Sequence, residues 1–149
     1  MKSRRNSSLG MAAPFPESDM DNNLLAVNGT LMRGLELNPN LLAAGATFVS
    51  ETTTEPSYRL WSIDDCHPAM IRARKGGVAV AVEVWAMPPE GLAAILLQEP
   101  PGLGIGKVKL ADGTTILGVI AEPMLCDGQR EITHFGGWRA YLSGASKPL

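Results

Sequence analysis

Three features of the sequence predict an α+β domain with a small mixed or antiparallel curled sheet or barrel and short flanking helices. Val78–Met87 alternates as a strand does: Val78, Val80, Val82 and Val84, with Ala86, fall on one face, and Ala79, Ala81, Glu83 and Trp85 on the other. Asp112-Gly113 sits between two β-prone runs, Ile105–Leu110 and Thr114–Ala121, which is a strong hairpin signal. The helical segments are short and open at prolines, Pro39 and Pro88-Pro89, where a missing N–H costs least.

Order is expected to begin at Leu24. Leu24-Leu25-Ala26-Val27 reads as a buried strand that ends at the turn pair Asn28-Gly29. A loop runs on to Gly34. Asn38 is expected to cap a short helix from Pro39 to about Ala44, stopped by Gly45. Ala46–Thr54 is Thr- and Val-rich and reads as extended, and Tyr58–Ser62 alternates as another strand. Asp64–Pro68 reads as a loop and Met70–Arg74 as a strand stopped by Gly76-Gly77. The helix after Pro88-Pro89 carries Leu92, Ile95 and Leu96 at helical spacing and ends before Pro100-Pro101. Phe135–Leu142 is aromatic and apolar and is expected to pack back on the domain, with Ser143–Leu149 fraying. Met1–Asn23 is polar and without period, and reads as a disordered leader; its Arg4-Arg5 lacks the apolar segment of an export signal.

Composition narrows the function classes. Thirteen Lys and Arg stand against fifteen Asp and Glu, with no basic stripe, so no nucleic-acid footprint is visible. No apolar run approaches the roughly 20 residues of a membrane helix, and a cytoplasmic protein is expected. Cys66 and Cys126 are far apart; without a secretion signal they read as two free thiols rather than a disulfide.

The usual catalytic signatures are missing. Cys66 and His67, adjacent on an extended chain, are expected to face opposite ways and so not to form a nucleophile–base pair. No zinc-ligand spacing occurs, and Gly102–Gly106 lacks the endings of phosphate or dinucleotide loops, so it reads as a structural turn. What remains is the loop Asn28–Gly34 and a few titratable side chains. A Gly-containing loop leaving a buried strand can aim several N–H groups at one anion. Arg33 either adds a bidentate carboxylate contact or is simply solvated. Glu99, held between a helix end and two prolines, is either an exposed helix-end carboxylate or a desolvated acid/base. Glu83, on the Trp85 face of its strand, is a third candidate if that face is closed, and a cross-strand ion pair if it is solvated. His134 reads as structural, with Trp138 and Tyr141 as anchors for the tail.

These residues resemble a known family. Val27-Asn28-Gly29-Thr30-Leu31-Met32 resembles the glycine loop of gamma-glutamylcyclotransferase-like proteins, and Val82-Glu83-Val84-Trp85 with its Pro-led helix resembles their next strand and helix. Gly34–Asn38, Pro56–Leu60, Leu103–Val108 with Asp112-Gly113, and Phe135–Leu142 are similar to the C-terminal domain of allophanate hydrolases. The resemblance spans Leu24 to Leu142 and implies one domain there, a barrel-like fold and a pocket. It implies that Asn28, Gly29, Thr30, Leu31 and Met32, with Arg33, bind a substrate carboxylate. It also implies that Glu99 is the catalytic acid/base, in a chemistry that needs no metal or organic cofactor. Its relatives imply two activities, lactam-forming cyclotransfer and decarboxylation of an N-carboxylated carbamate. Allophanate hydrolase C-terminal domains often carry a His where this chain has Leu31, so imidazole cannot act at that position here. The amidase half is expected to be absent from a chain of 149 residues. Two functions are carried forward. One is an enzyme or binding protein for a small anionic amide-, amine- or carbamate-like ligand. The other is a non-catalytic module that docks on an amidase or forms a homodimer, favoured if Phe135–Leu142 is an exposed apolar patch.

Overall fold

The computed structural model describes residues 23–145. The leader expected over Met1–Asn23 therefore lies, apart from Asn23, outside the described residues, as do residues 146–149. In chain order the elements are β1 (Asn23–Val27), α1 (Asn38–Ala43), β2 (Thr47–Thr53), β3 (Tyr58–Ile63), β4 (His67–Arg72), β5 (Ala81–Met87), α2 (Pro89–Gln98), β6 (Leu103–Lys109), β7 (Thr115–Ala121), β8 (Arg130–Glu131) and α3 (Trp138–Ala145). Short 3₁₀ turns occupy Pro123–Cys126 and Thr133–Phe135.

The strands form a five-stranded sheet in the order β2-β5-β1-β7-β6 and a three-stranded sheet in the order β4-β3-β8. β1 lies at the centre of the larger sheet. It runs antiparallel to β5, with Leu25 opposite Trp85, and parallel to β7, with Leu25 opposite Leu117. The sheet curls far enough for its two outer strands to meet at one end. There Glu55 N–H donates to Lys109 O at 3.0 Å and Ala111 N–H donates to Thr53 O at 2.9 Å. The architecture is mixed α+β, as the sequence predicts.

Several boundaries differ for identifiable reasons. The strand expected over Val78–Met87 is regular only from Ala81, because the chain first crosses between the sheets. Val78 pairs with Tyr58 of the smaller sheet, and Val80 N–H donates to Thr54 Oγ1. Asn38 is the first residue of α1 rather than its cap, since its amide instead donates to Leu31 O at 2.9 Å. β4 begins at His67, not Met70; Pro68 is tolerated there because β4 is an edge strand. Of Gly102–Gly106, only Gly102 (φ 94°) is a turn residue, and the rest belongs to β6. Gly113 takes φ 91° at the β6–β7 turn, as an Asp-Gly hairpin requires. α3 runs to Ala145, through the start of the segment expected to fray.

The core lies between the concave face of the larger sheet and the smaller sheet, with the helices closing its rim. Leu25, Leu60, Met70, Ile95, Trp138 and Tyr141 are all buried in it. Burying each such side chain is worth roughly 1.5–3 kcal/mol, so α3 is anchored largely through its two aromatics. Consequently Phe135–Leu142 is not an exposed apolar patch, and the sequence-level case for docking there is corrected.

A cavity between the first loop and the end of the second helix

β1 ends at Val27, and Asn28 after it is buried and aimed inward. Its Nδ2 donates to Val119 O of β7 at 3.0 Å and lies 3.7 Å from Met70 Sδ. Gly29 follows because nothing larger fits: a Cβ there would stand 2.4 Å from Pro68 Cδ. Three successive carbonyls of the loop are engaged. Gly29 O accepts from Met32 N–H, Thr30 O from Leu37 N–H and Leu31 O from the Asn38 side chain. The N–H groups of Gly29, Thr30 and Leu31 find no acceptor among the described residues. Successive N–H groups without an acceptor beside a cavity are donors of the kind that can receive an anion.

These residues line a cavity of about 410 Å³ together with Glu36 and Leu37 before α1, Asp65–Pro68 at the start of β4, Glu99 and Pro100 after α2, Leu103 and Val119. Glu99 is the C-terminal cap of α2, with extended backbone (φ −70°, ψ 146°) and its N–H bonded to Ile95 O and Leu96 O. The following proline holds it there. Its carboxyl meets no hydrogen-bond donor and no cation among the described residues, and burial pushes its pKa above the ordinary carboxylate value. Burial without a donor favours the protonated form of such a carboxyl, as a proton-transferring group needs.

Met32 and Arg33 leave this cavity. Met32 is buried and lines a second hollow of about 420 Å³, bounded by β2, β5 and the start of α3. The Arg33 guanidinium stacks 3.7 Å over the Phe48 ring and pairs with Glu51 and Glu83. Glu83 is 2 % exposed, so the Trp85 face of β5 is not solvated: the first loop and α3 cover it. Glu83 is nevertheless an ion-pair residue. Burial alone would raise its pKa, but Arg33 N–H, Arg139, Trp85 Nε1 and the Arg33 side chain all donate to it and hold it below the ordinary value.

Cys66 and His67, expected to face apart, both line the cavity. The reason is the tight turn before them, in which Asp64 (φ 52°) and Asp65 (φ 57°) adopt the left-handed conformation. An Asp-Asp pair tolerates that conformation better than most residues, which was the only available signal. Asp65 accepts from Ser62 Oγ and Tyr141 Oη, which hold its pKa down. Both cysteines are free; Cys66 is exposed, while burial with the nearby Asp127 and Glu131 charges pushes the Cys126 thiol up to about 11. His134 lies against Phe135, ring centroids 4.3 Å apart, outside the cavity. Glu131 is held down to about 2, chiefly by the Arg59 fork on it, and serves to join β3 to β8. Among the described residues, no group of three His, Cys, Asp or Glu is placed to share a metal ion. No helix among them is long and apolar enough to cross a membrane.

Known proteins resemble this chain in sequence and fold. The chain is 32 % identical over 130 residues to the urea amidolyase of Saccharomyces cerevisiae, a match covering 83 % of this chain and only 7 % of the yeast protein. The crystal structure of c4763, a uropathogenic E. coli-specific protein, superposes with a TM-score of 0.81 at 60 % identity, covering 82 % of this chain and 96 % of that one. Kluyveromyces lactis allophanate hydrolase superposes with a TM-score of 0.81 at 28 % identity, covering 88 % of this chain and 22 % of the enzyme. A mouse AIG2-like protein, 16 % identical with a TM-score of 0.56 over 70 % of this chain, shares the fold alone. The family model for the allophanate hydrolase C-terminal domain matches residues 23–143, and the chain belongs to that family.

Proposed function

We propose that this domain binds a small carboxylate carrying an amide, amine or carbamate group and moves a proton on it. The Gly29–Leu31 N–H groups hold the carboxylate, and Glu99 is the acid/base. The observation that carries this reading is the state of the Glu99 carboxyl. It lines the same cavity as three unpaired N–H groups, has no donor of its own, and is biased toward its protonated form by burial. A structural carboxylate is normally satisfied, as Glu83 is. The names of the relatives, urea amidolyase and allophanate hydrolase, fit a small nitrogen-carbonyl compound. No part is assigned to Met32 or Arg33 in ligand binding, since both are committed to the second hollow and its ion pairs.

The test is a thermal-shift titration with small dicarboxylates and gamma-glutamyl amines, run beside Glu99→Gln. A compound at about 100 times its dissociation constant stabilises the fold by about 2.7 kcal/mol, or several degrees in Tm. Both proteins are expected to shift and only the wild type to turn over. If no compound shifts either protein, the cavity is not a ligand site.

A second reading, assembly with an amidase or with a second copy, is favoured by exposed apolar side chains away from Phe135–Leu142. Leu42 on α1 is 58 % exposed and Leu97 on α2 is 86 % exposed. Light scattering of the purified chain, alone and mixed with an amidase, checks it: a monomer in both samples removes this reading.

A further inference from the structure

His67 opens β4 at the wall of the cavity and takes no part in the acid/base scheme above. Its Nδ1 lies 3.1 Å from Pro68 O. A carbonyl oxygen only accepts, so Nδ1 carries the hydrogen in that contact, and in this Nδ1–H tautomer Nε2 is the acceptor nitrogen. No donor among the described residues occupies Nε2. On the same wall Asp65 Oδ1 accepts from both Ser62 Oγ and Tyr141 Oη, and the Asn28 amide nitrogen is turned to Val119 O. The cavity thus offers one fixed, vacant nitrogen acceptor in addition to its N–H groups and Glu99.

We infer that His67 is a specificity-determining residue, whose Nε2 accepts an N–H from the bound molecule and so selects carboxylates with an amide or carbamate N–H over esters of the same shape. This rests on the reading of the cavity given above. The three polar elements then match the three parts of such a molecule. The N–H groups take the carboxylate, a protonated Glu99 donates to the amide oxygen, and His67 receives the amide hydrogen. An ester satisfies the first two and leaves Nε2 facing an oxygen, where two lone pairs meet and neither is paired.

The experiment compares succinamate with monomethyl succinate, which share a carboxylate and a chain; the ester carries OCH3 where the amide carries NH2, and so has no N–H. Affinities are measured by calorimetry on wild type, His67→Leu and His67→Gln. Wild type is expected to prefer succinamate by about tenfold or more, the worth of one well-made hydrogen bond. His67→Leu is expected to lose that preference by weakening succinamate alone, with monomethyl succinate unchanged. His67→Gln, whose side-chain oxygen reaches the place of Nε2, is expected to restore most of it. Nitrogen NMR of the wild-type ring supplies a readout that needs no variant: the Nε2 resonance is expected to move with succinamate and not with monomethyl succinate. Equal affinities in wild type, a preference that survives in His67→Leu, or an unmoved Nε2 overturns the role of His67 while leaving the cavity as an anion site. If wild type binds neither probe and no dicarboxylate, the cavity reading fails and this inference fails with it.

Discussion

Glu83 and Glu99 are both glutamates enclosed by the same fold, yet their surroundings make opposite use of burial. Glu83 sits mid-strand on β5 and accepts from the Arg33 backbone and side chain, from Trp85 and from Arg139. It is a fixed anion that fastens the end of the first loop and the start of α3 to the sheet. Glu99 sits at a helix end where none of the described residues donates to its carboxyl, and its pKa moves the other way. The lesson is that burial does not by itself make a carboxylate reactive; the number of donors around it does. A carboxylate with several donors is held as an anion, and one without them is biased toward its protonated form.

The sharpest way to break this comparison is to neutralise each carboxylate in turn. Glu99→Gln is expected to lower turnover of any gamma-glutamyl or carbamoyl substrate by about 10²–10⁴ with the urea midpoint no lower than that of wild type. An equal loss of activity and stability would make Glu99 structural. Glu83→Leu is expected to do the reverse. It leaves the Arg33 N–H and the Trp85 indole without an acceptor and two guanidinium groups without their shared anion, at a cost of about 2–4 kcal/mol in urea unfolding. Gly29→Ala probes the floor between the two regions. Its Cβ would overlap Pro68, so a loss of about 1–3 kcal/mol from overpacking is expected, and dicarboxylate binding should vanish with it.

The smallest effect is the pH dependence of the Glu99 contribution. Because its folded-state pKa is raised, the folded form binds that proton more tightly than the unfolded chain. Stability attached to Glu99 is therefore full below its unfolded value and falls as pH rises through the raised one. Thermal melts of Glu99→Gln against wild type are expected to coincide in acid and to separate in favour of the variant above that range. Glu83, with its pKa lowered, contributes in the opposite sense: its stability is present above the unfolded value and lost as pH falls through the folded one.

How far the sequence reaches can be read from these same residues. The β6–β7 hairpin, the proline-led helices and the position of Glu99 beside the first loop were legible, since each depends on local signals or on a family pattern. The closure over Glu83 was not. Alternation along β5 says which residues share a face but not what is laid on that face, and the cover comes from a loop and a helix distant in sequence. Arg33 was read with its neighbours in the loop, whereas the turn that bonds Met32 N–H to Gly29 O sends the chain away from the cavity. His67 was read as an extended neighbour of Cys66, and only the two left-handed aspartates before it bring both to the wall. β8 is a two-residue strand, too short for any period to show.

The central place of β1 has a consequence for the order in which the molecule can assemble. Its partners are β5 and β7, and the pairing of Leu25 with Leu117 spans most of the described chain. During synthesis β1 emerges before both of its partners and must wait, apolar and unpaired, until β7 has been made. Such long-range pairing closes late and slowly, so this domain is expected to fold only once β7 has left the ribosome. Shortening from the C-terminal side into β7 should leave β1 exposed along one edge and the truncated product prone to aggregate.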